Sequence, residues 1–236
     1  MRAVMKVFAI QTARAGSKSV LYKNEISVDG KALFLHNLHH ALDCPQINHV
    51  FCSTDIDTSR YTHELTGVTL IARPYTLATD HCSHHETICH ALIEAERSKQ
   101  TKADLVIVLL GNSLSAFSEH LSEGIAYLKD DETLDSVMSV ARFNMFNPLR
   151  AFKDSSGRLE PMISSLRSKS HAVAKNDKEA MGDVFFFNGG FWIIRREVLL
   201  ANAGKGAFPW LGNAIGYVLQ DARYQELDAE WQRALF

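Results

Sequence analysis

The run Leu105–Leu110 constrains this chain more than any other segment. Leu-Val-Ile-Val-Leu-Leu offers no polar side chain to either alternating face. As a strand it therefore needs apolar cover above and below. Strands of that kind belong to mostly parallel sheets with helices on both sides. The neighbouring segments agree. Ala3 to Ile10 reads as a buried strand, His49 to Ser53 and Val68 to Ile71 as shorter ones, and Ser136 to Val140 as another. Phe185 to Ile194 returns to strand and is broken at Asn188-Gly189-Gly190. Between the strands, Leu33 to Leu42 places Phe34, Leu35, Leu38, Ala41 and Leu42 on one helical face. Ile88, Ala91, Leu92 and Ala95 repeat at helical spacing behind Ser83-His84-His85-Glu86, a capping box in which Ser83 and Glu86 satisfy the first free amides. Leu121, Ile125 and Leu128 mark a third helix and Glu197 to Leu200 a short one. Leu227 to Leu235 is expected to be helical and to pack Trp231. The alternation predicts an α/β fold with a mostly parallel sheet covered on both faces.

The 236 residues, 46% of them hydrophobic, suit a single domain spanning 1–236 with a sizeable core. From Phe143 to Asp183 polar and basic residues dominate, Lys169, Lys175 and Lys178 among them, which predicts an inserted arm over about 143–183. A formal net charge of -2 argues against nucleic acid or an acidic membrane surface as the main partner. Cys44, Cys52, Cys82 and Cys89 are too sparse for a disulfide framework and read as free thiols in a reducing cytoplasm. The first apolar run is short and interrupted by Lys6, and no stretch approaches a membrane span, so a soluble cytoplasmic protein is expected.

The chemistry is sought in the loop after the first strand, taken to run from Gln11 to about Asn24. In open α/β sheets ligands bind beyond the carboxyl ends of the strands. Gly16 lets the backbone approach an anion closely, and Arg14, Lys18 and Lys23 bring positive charge at short intervals. That combination suits a triphosphate whose leaving pyrophosphate gathers charge. The spacing is neither that of a Walker A loop nor that of a dinucleotide fingerprint. On spacing alone, the loop is either an anion cradle or a solvated turn with a few basic side chains.

Ala13-Arg14-Ala15-Gly16-Ser17-Lys18 followed by Lys23-Asn24 resembles the signature of the acylneuraminate cytidylyltransferases, or CMP-sialic acid synthetases. The likeness continues in order through Cys52-Ser53-Thr54-Asp55, Arg73-Pro74 with Leu77-Ala78-Thr79-Asp80, and Asp135-Ser136-Val137 with Asn147-Pro148-Leu149. It ends at Asn188-Gly189 and Asp228-Ala229-Glu230-Trp231. The resemblance implies a Rossmann-like three-layer nucleotidyltransferase fold with a small dimerisation arm, hence a homodimer. It also implies a reaction in which a sugar-acid hydroxyl attacks the α-phosphorus of CTP and pyrophosphate leaves. By the same resemblance Arg14, Lys18 and Lys23 carry catalysis at the triphosphate. Ala13, Gly16, Ser17, Asn24, Arg73, Asp80 and Ser83 hold the nucleotide. Gly111, Asn112, Ser113 and Asn188 meet the sugar acid, and Asp228 with Glu226 holds Mg²⁺.

The chain departs from the family pattern at four places. Where the family has L-L-Q-P-T-S, this chain has Leu109-Leu110-Gly111-Asn112-Ser113, and glycine cannot supply the glutamine's contact to sugar. Phe186 stands where an arginine is usual before the N-G turn. The metal pair D-x-D becomes Glu226-Leu227-Asp228, and Thr12 replaces a proline. These departures motivate two alternatives, a nucleotidyltransferase for a different sugar or base and a catalytically weak nucleotide-binding relative.

Other clusters read more simply as structure. His85 and Cys89 share a helical face one turn beyond Cys82, and zinc accepts both ligand types, but no paired C-x-x-C accompanies them. His39-His40 reads as a solvated pair, Asp130-Asp131-Glu132 as a charged turn and Phe185-Phe186-Phe187 as a buried strand.

Overall fold

The computed structural model describes residues 5–17, 19–79, 81–144, 148, 151–163, 183–220 and 226–235. Its centre is a seven-stranded sheet. Strand β6 (Leu105–Leu110) lies in the middle, with β1 (Val7–Ala13), β4 (His49–Thr54) and the edge strand β5 (Val68–Ala72) following on one side. On the other side come β10 (Phe185–Arg195), β7 (Ser136–Arg142) and the edge strand β11 (Ile215–Leu219). All pairings are parallel except those of β10, which runs antiparallel to both β6 and β7. Its register shifts between Phe187 and Trp192, at the predicted break. Two short hairpins lie outside the sheet, β2 (Ser27–Val28) with β3 (Lys31–Ala32), and β8 (Phe152–Asp154) with β9 (Leu159–Pro161).

The apolar run Leu105–Leu110 takes the place its composition demanded. Leu105, Ile107 and Leu109 point into one core layer with Phe34 and Leu38 of α1 (Leu33–Leu42) and Leu121, Ile125 and Leu128 of α3 (Ser118–Asp130). Val106 and Val108 point into the opposite layer with Ile88, Ala91, Leu92 and Ala95 of α2 (His84–Lys99), and with Leu199 of α4 (Arg196–Ala201). Each such side chain taken from water contributes about 1.5–3 kcal/mol, and the two faces of the sheet share the load. Among the described residues no helix is long and apolar enough to cross a membrane.

Three expectations change. Strand β1 continues through Gln11, Thr12 and Ala13, so the loop begins only at Arg14. Gln11 is buried because its amide donates to Phe34 O at 2.7 Å, which substitutes for water. The tail forms a 3-10 helix at Glu230–Leu235, but Trp231 stays 71% exposed, and it is Leu227 and Gln232 that are buried. Phe186 is exposed at 40% rather than buried, since the strand alternates and its neighbours face inward. Most of the predicted arm, including Lys169, Lys175 and Lys178, lies outside the described residues, as do Asn147 and Leu149. The rest of it contains the β8–β9 hairpin.

Candidate active site

Chain order creates a crevice. From β1 the chain moves outward through β4 and β5, and α2 then carries it back across to β6 on the other side of β1. That reversal places the crevice between the carboxyl ends of β1 and β6, the position where open α/β sheets bind ligands. A cleft of about 270 Å³ lies there. Its walls include Thr12 and Arg14 from the end of β1, Lys23 and Asn24 from the 3-10 turn Lys23–Glu25, and Leu110 and Asn112 from the end of β6. Arg73, Thr79, Cys82 and His84 close the side nearest α2.

The loop after β1 is braced from two directions. Asp55, which ends the Ser53-Thr54-Asp55 segment, accepts from the Ala15 amide through Oδ1 at 2.9 Å. The buried Asn24 side chain donates through Nδ2 to Arg14 O at 2.8 Å. Asn24 therefore shapes the loop by its own hydrogen bond. Gly16 is exposed with open space where a Cβ would stand, so backbone access is preserved there without steric need for glycine. Ser17 Oγ lies 3.5 Å from the Val20 amide, inside the same loop. Lys18 and Asp80 lie outside the described residues.

Arg73 is half-buried and anchored. Its guanidinium donates to Leu77 O through Nε at 2.8 Å and through Nη2, and reaches Thr87 Oγ1 at 3.2 Å. Burial draws its pKa below the ordinary guanidinium value. Arg14 points into the same region, with Nη1 at 3.5 Å from Ala78 O. Ser83 performs the capping role read from the sequence. Its Oγ accepts from the Glu86 amide at 3.1 Å, and its own amide donates to Glu86 Oε2 at 3.0 Å. The cap fixes the start of α2, and His84 follows it at the cleft wall.

The role of His84 is not visible in the sequence. The capping box places it on the first turn of α2, yet nothing local links it to Thr12, whose Oγ1 lies 2.9 Å from His84 Nε2. Trp192 and Trp210 meet its ring edge-on at 6.0 and 6.3 Å. Burial, with lesser contributions from the Arg73 and His85 charges, pushes its pKa down to about 4, so it is neutral at pH 7.

Acidic groups meet the cleft from the C-terminal segment. Lys23 Nζ pairs with Asp228 Oδ1 at 2.6 Å. Asn112 Nδ2 lies 3.0 Å from the same oxygen. Glu226 joins Ser113 in an isolated antiparallel bridge. Burial first, and then the adjacent Asp228 carboxylate, push the Glu226 pKa up to about 7. Two carboxylates in contact are a donor set that a divalent cation would relieve. Ser113 and Asn188 are fully buried. Asn188 donates through Nδ2 to Gln220 Oε1 at 2.7 Å, and its Oδ1 accepts from the Gly190 amide at 3.3 Å. Their side chains thus brace the walls rather than open on the cleft.

Gly111 shows why the family's glutamine is missing here. A Cβ at this position would stand 2.7 Å from Ala13 Cβ and 3.2 Å from both Asn24 Oδ1 and Thr12 O. The turn after β6 is pressed onto the β1 loop, and the Gly111 amide donates to Thr12 O at 3.1 Å. At the other departure, Phe186 is exposed and meets the Phe143 ring edge-on at 5.9 Å.

The remaining clusters are structural. His85 Nε2 lies 2.8 Å from Leu199 O and 3.2 Å from Cys89 Sγ. Among the described residues no group of three or more His, Cys, Asp or Glu could hold a metal ion. Glu226 and Asp228 are only two, the number that Mg²⁺ takes when phosphates and water complete its shell. His39 and His40 are not a solvated pair. Lys31 Nζ lies 2.7 Å from His39 Nδ1, and burial lowers the pKa of His40.

Comparison with known proteins bears on this geometry. Residues 8–155 match a family model described as Cytidylyltransferase. The chain is 32% identical over 139 residues to an N-acylneuraminate cytidylyltransferase of Escherichia coli, a match covering 59% of this chain and 32% of that protein. It is 22% identical over 198 residues to an N-acylneuraminate cytidylyltransferase of Streptococcus agalactiae, covering 83% of this chain and 45% of that protein. The chain thus spans less than half the length of these curated relatives. The solved structure of a CMP:2-keto-3-deoxy-manno-octonic acid synthetase complexed with CTP superposes with a TM-score of 0.65, at 19% identity, over 98% of each chain. The fold is accordingly the Rossmann-like three-layer nucleotidyltransferase fold.

Proposed function

Because the chain belongs to the cytidylyltransferase family, we propose that it transfers CMP from CTP to a sialic-acid-like, nonulosonic sugar acid with release of pyrophosphate. The observation that carries this reading is the convergence of Arg14, Lys23, Arg73 and Asn112 on one cleft at the switch point of the sheet. The names of the relatives support a sugar-acid acceptor, and the likeness to a structure complexed with CTP supports that donor.

In this reading the sugar hydroxyl oxygen attacks the α-phosphorus and its proton is released to solvent. The bond from that phosphorus to the bridging oxygen breaks, and pyrophosphate departs with the electron pair. The protein has little covalent chemistry to do, so its residues act by position and charge. Arg14 and Lys23 would meet the triphosphate and offset the charge that gathers on the leaving group, a role the sequence also assigns to Lys18. Asp55 and Asn24 hold the loop in shape, one by accepting from the Ala15 amide and the other by donating to the Arg14 carbonyl. Neutral His84, held by Thr12, lies beside Arg73 in the wall that would meet the base. Glu226 and Asp228 would hold Mg²⁺, which would supply positive charge to offset the charge gathering on the leaving pyrophosphate.

A specific observation favours a second reading, in which the sugar differs from ordinary sialic acid. Gly111 leaves no room for a side chain, so the contact a glutamine would make cannot exist in this backbone. The reading also carries a cytoplasmic homodimer joined through the 143–183 arm. Sedimentation as a monomer alone would overturn that part.

The main test is pyrophosphate release on incubation with CTP, Mg²⁺ and a panel of sugar acids. Release with at least one acid supports the reading, and none with any acid, where an active synthetase turns over, overturns it. Thermal stabilisation by CTP, GTP, UTP and ATP identifies the base, because a bound nucleotide raises stability by mass action.

A further inference from the structure

Three segments meet at Glu226–Asp228, and one side chain of the first, Asn112, reaches every residue of the second. The first is the turn after β6. Pressed onto Ala13 and Thr12 by the side-chain-free Gly111, it directs the next residue, Asn112, towards the acidic segment. The second is the acidic segment itself, whose Leu227 amide donates to Asn112 O at 2.8 Å. The third is the bulge of β10. Gly189, at φ +76°, leaves the space that Glu226 occupies, since a Cβ there would stand 2.8 Å from Glu226 Cβ. Asn112 is 8% exposed, and its Nδ2 faces Asp228 Oδ1 at 3.0 Å, Leu227 O at 3.2 Å and Glu226 Oε1 at 3.5 Å.

We propose that Asn112 is a positioning residue that holds the Asp228 and Glu226 carboxylates in place for a divalent cation, rather than a contact to the sugar acid. The proposal rests on the reading of that pair as the cation site. Its physical basis is the difference between the two donors that meet at Asp228 Oδ1. Lys23 is a full positive charge and competes with a cation for that oxygen. The Asn112 amide is neutral. It orients the carboxylate without cancelling its charge, as the outer partners of metal ligands do. When Lys23 turns to a phosphate, Asn112 still fixes the carboxylate.

The test uses Mn²⁺ alone as the probe, with binding read by electron paramagnetic resonance on the intact protein. The variants are Asn112→Ala, Asn112→Leu (branched at Cγ like asparagine, without a donor) and Asp228→Asn. The proposal expects both Asn112 variants to bind Mn²⁺ about tenfold more weakly or worse, the usual effect of losing a partner to a metal ligand. The near-UV circular dichroism of both Asn112 variants without metal should match the parent, which a general loss of structure would not allow. Asn112→Leu keeps the test open if the cavity left by alanine unfolds the chain. Parent-like Mn²⁺ affinity in both Asn112 variants, with weakened binding in Asp228→Asn, overturns the positioning role alone. Parent-like affinity in Asp228→Asn overturns the cation-site reading, and this proposal with it.

Discussion

At Gly111 a single missing Cβ decides how close two loops lie. Substituting alanine forces a contact of 2.7 Å with Ala13 Cβ, in a region where Asn24 and Thr12 leave little play. Gly111→Ala should destabilise the fold by about 1–3 kcal/mol, the usual penalty of overpacking, seen as a lower urea midpoint. Gly111→Gln should cost at least as much and should not regain a sugar contact, because the β1 loop would have to move first. His84 sets a second residue-scale expectation. Its folded pKa of about 4 lies below the ordinary 6.5, so its contribution is fully present above pH 6.5 and is lost as pH falls towards 4. The loss should approach about 3 kcal/mol, since each tenfold difference in proton affinity between the folded and unfolded chain is worth about 1.4 kcal/mol. His84→Gln should flatten the stability profile between pH 6.5 and 4 in urea titrations, and an unchanged profile would show that another group carries it.

Among the elements, α2 tests the capping box. Ser83→Ala removes the acceptor for the Glu86 amide and should cost about 0.5–2 kcal/mol, measured by thermal or chemical melting. The regular elements were legible because each is ruled by one pattern. Leu33–Leu42 and Leu105–Leu110 span the residues their apolar spacing assigned. The end of β1 was not legible, because Gln11 and Thr12 look like loop residues until their partners, Phe34 O and His84, are in place. Those partners lie 23 and 72 residues away, and no local pattern encodes them. Trp231 misled for the opposite reason. Its size suggested burial, whereas Leu227 next to the acidic pair is what the core takes up. In the cleft, Arg14, Lys23, Asn24, Arg73 and Asn112 are all legible in the sequence. Their division between facing the ligand and bracing the walls depends on hydrogen bonds that only the fold defines.

For the molecule as a whole, nucleotide binding and folding are one equilibrium. CTP at about 100 times its Kd should stabilise the parent by about 2.7 kcal/mol. Arg14→Ala and Lys23→Ala should each weaken CTP binding by about 1.5–3 kcal/mol, the range for hydrogen bonds to charged groups. Because both would meet one triphosphate in the proposed reaction, the double variant should lose less than the sum of the two. Calorimetric titration checks all three proteins, and parent-like affinity in either single variant would remove that residue from the triphosphate site. The Lys23–Asp228 pair has one more consequence, and it concerns time. The two residues are 205 apart in the chain. A ribosome adding about 5–20 residues per second leaves on the order of 10–40 s between them. For that interval Lys23 of a nascent chain waits without the Asp228 carboxylate that it pairs with in the fold.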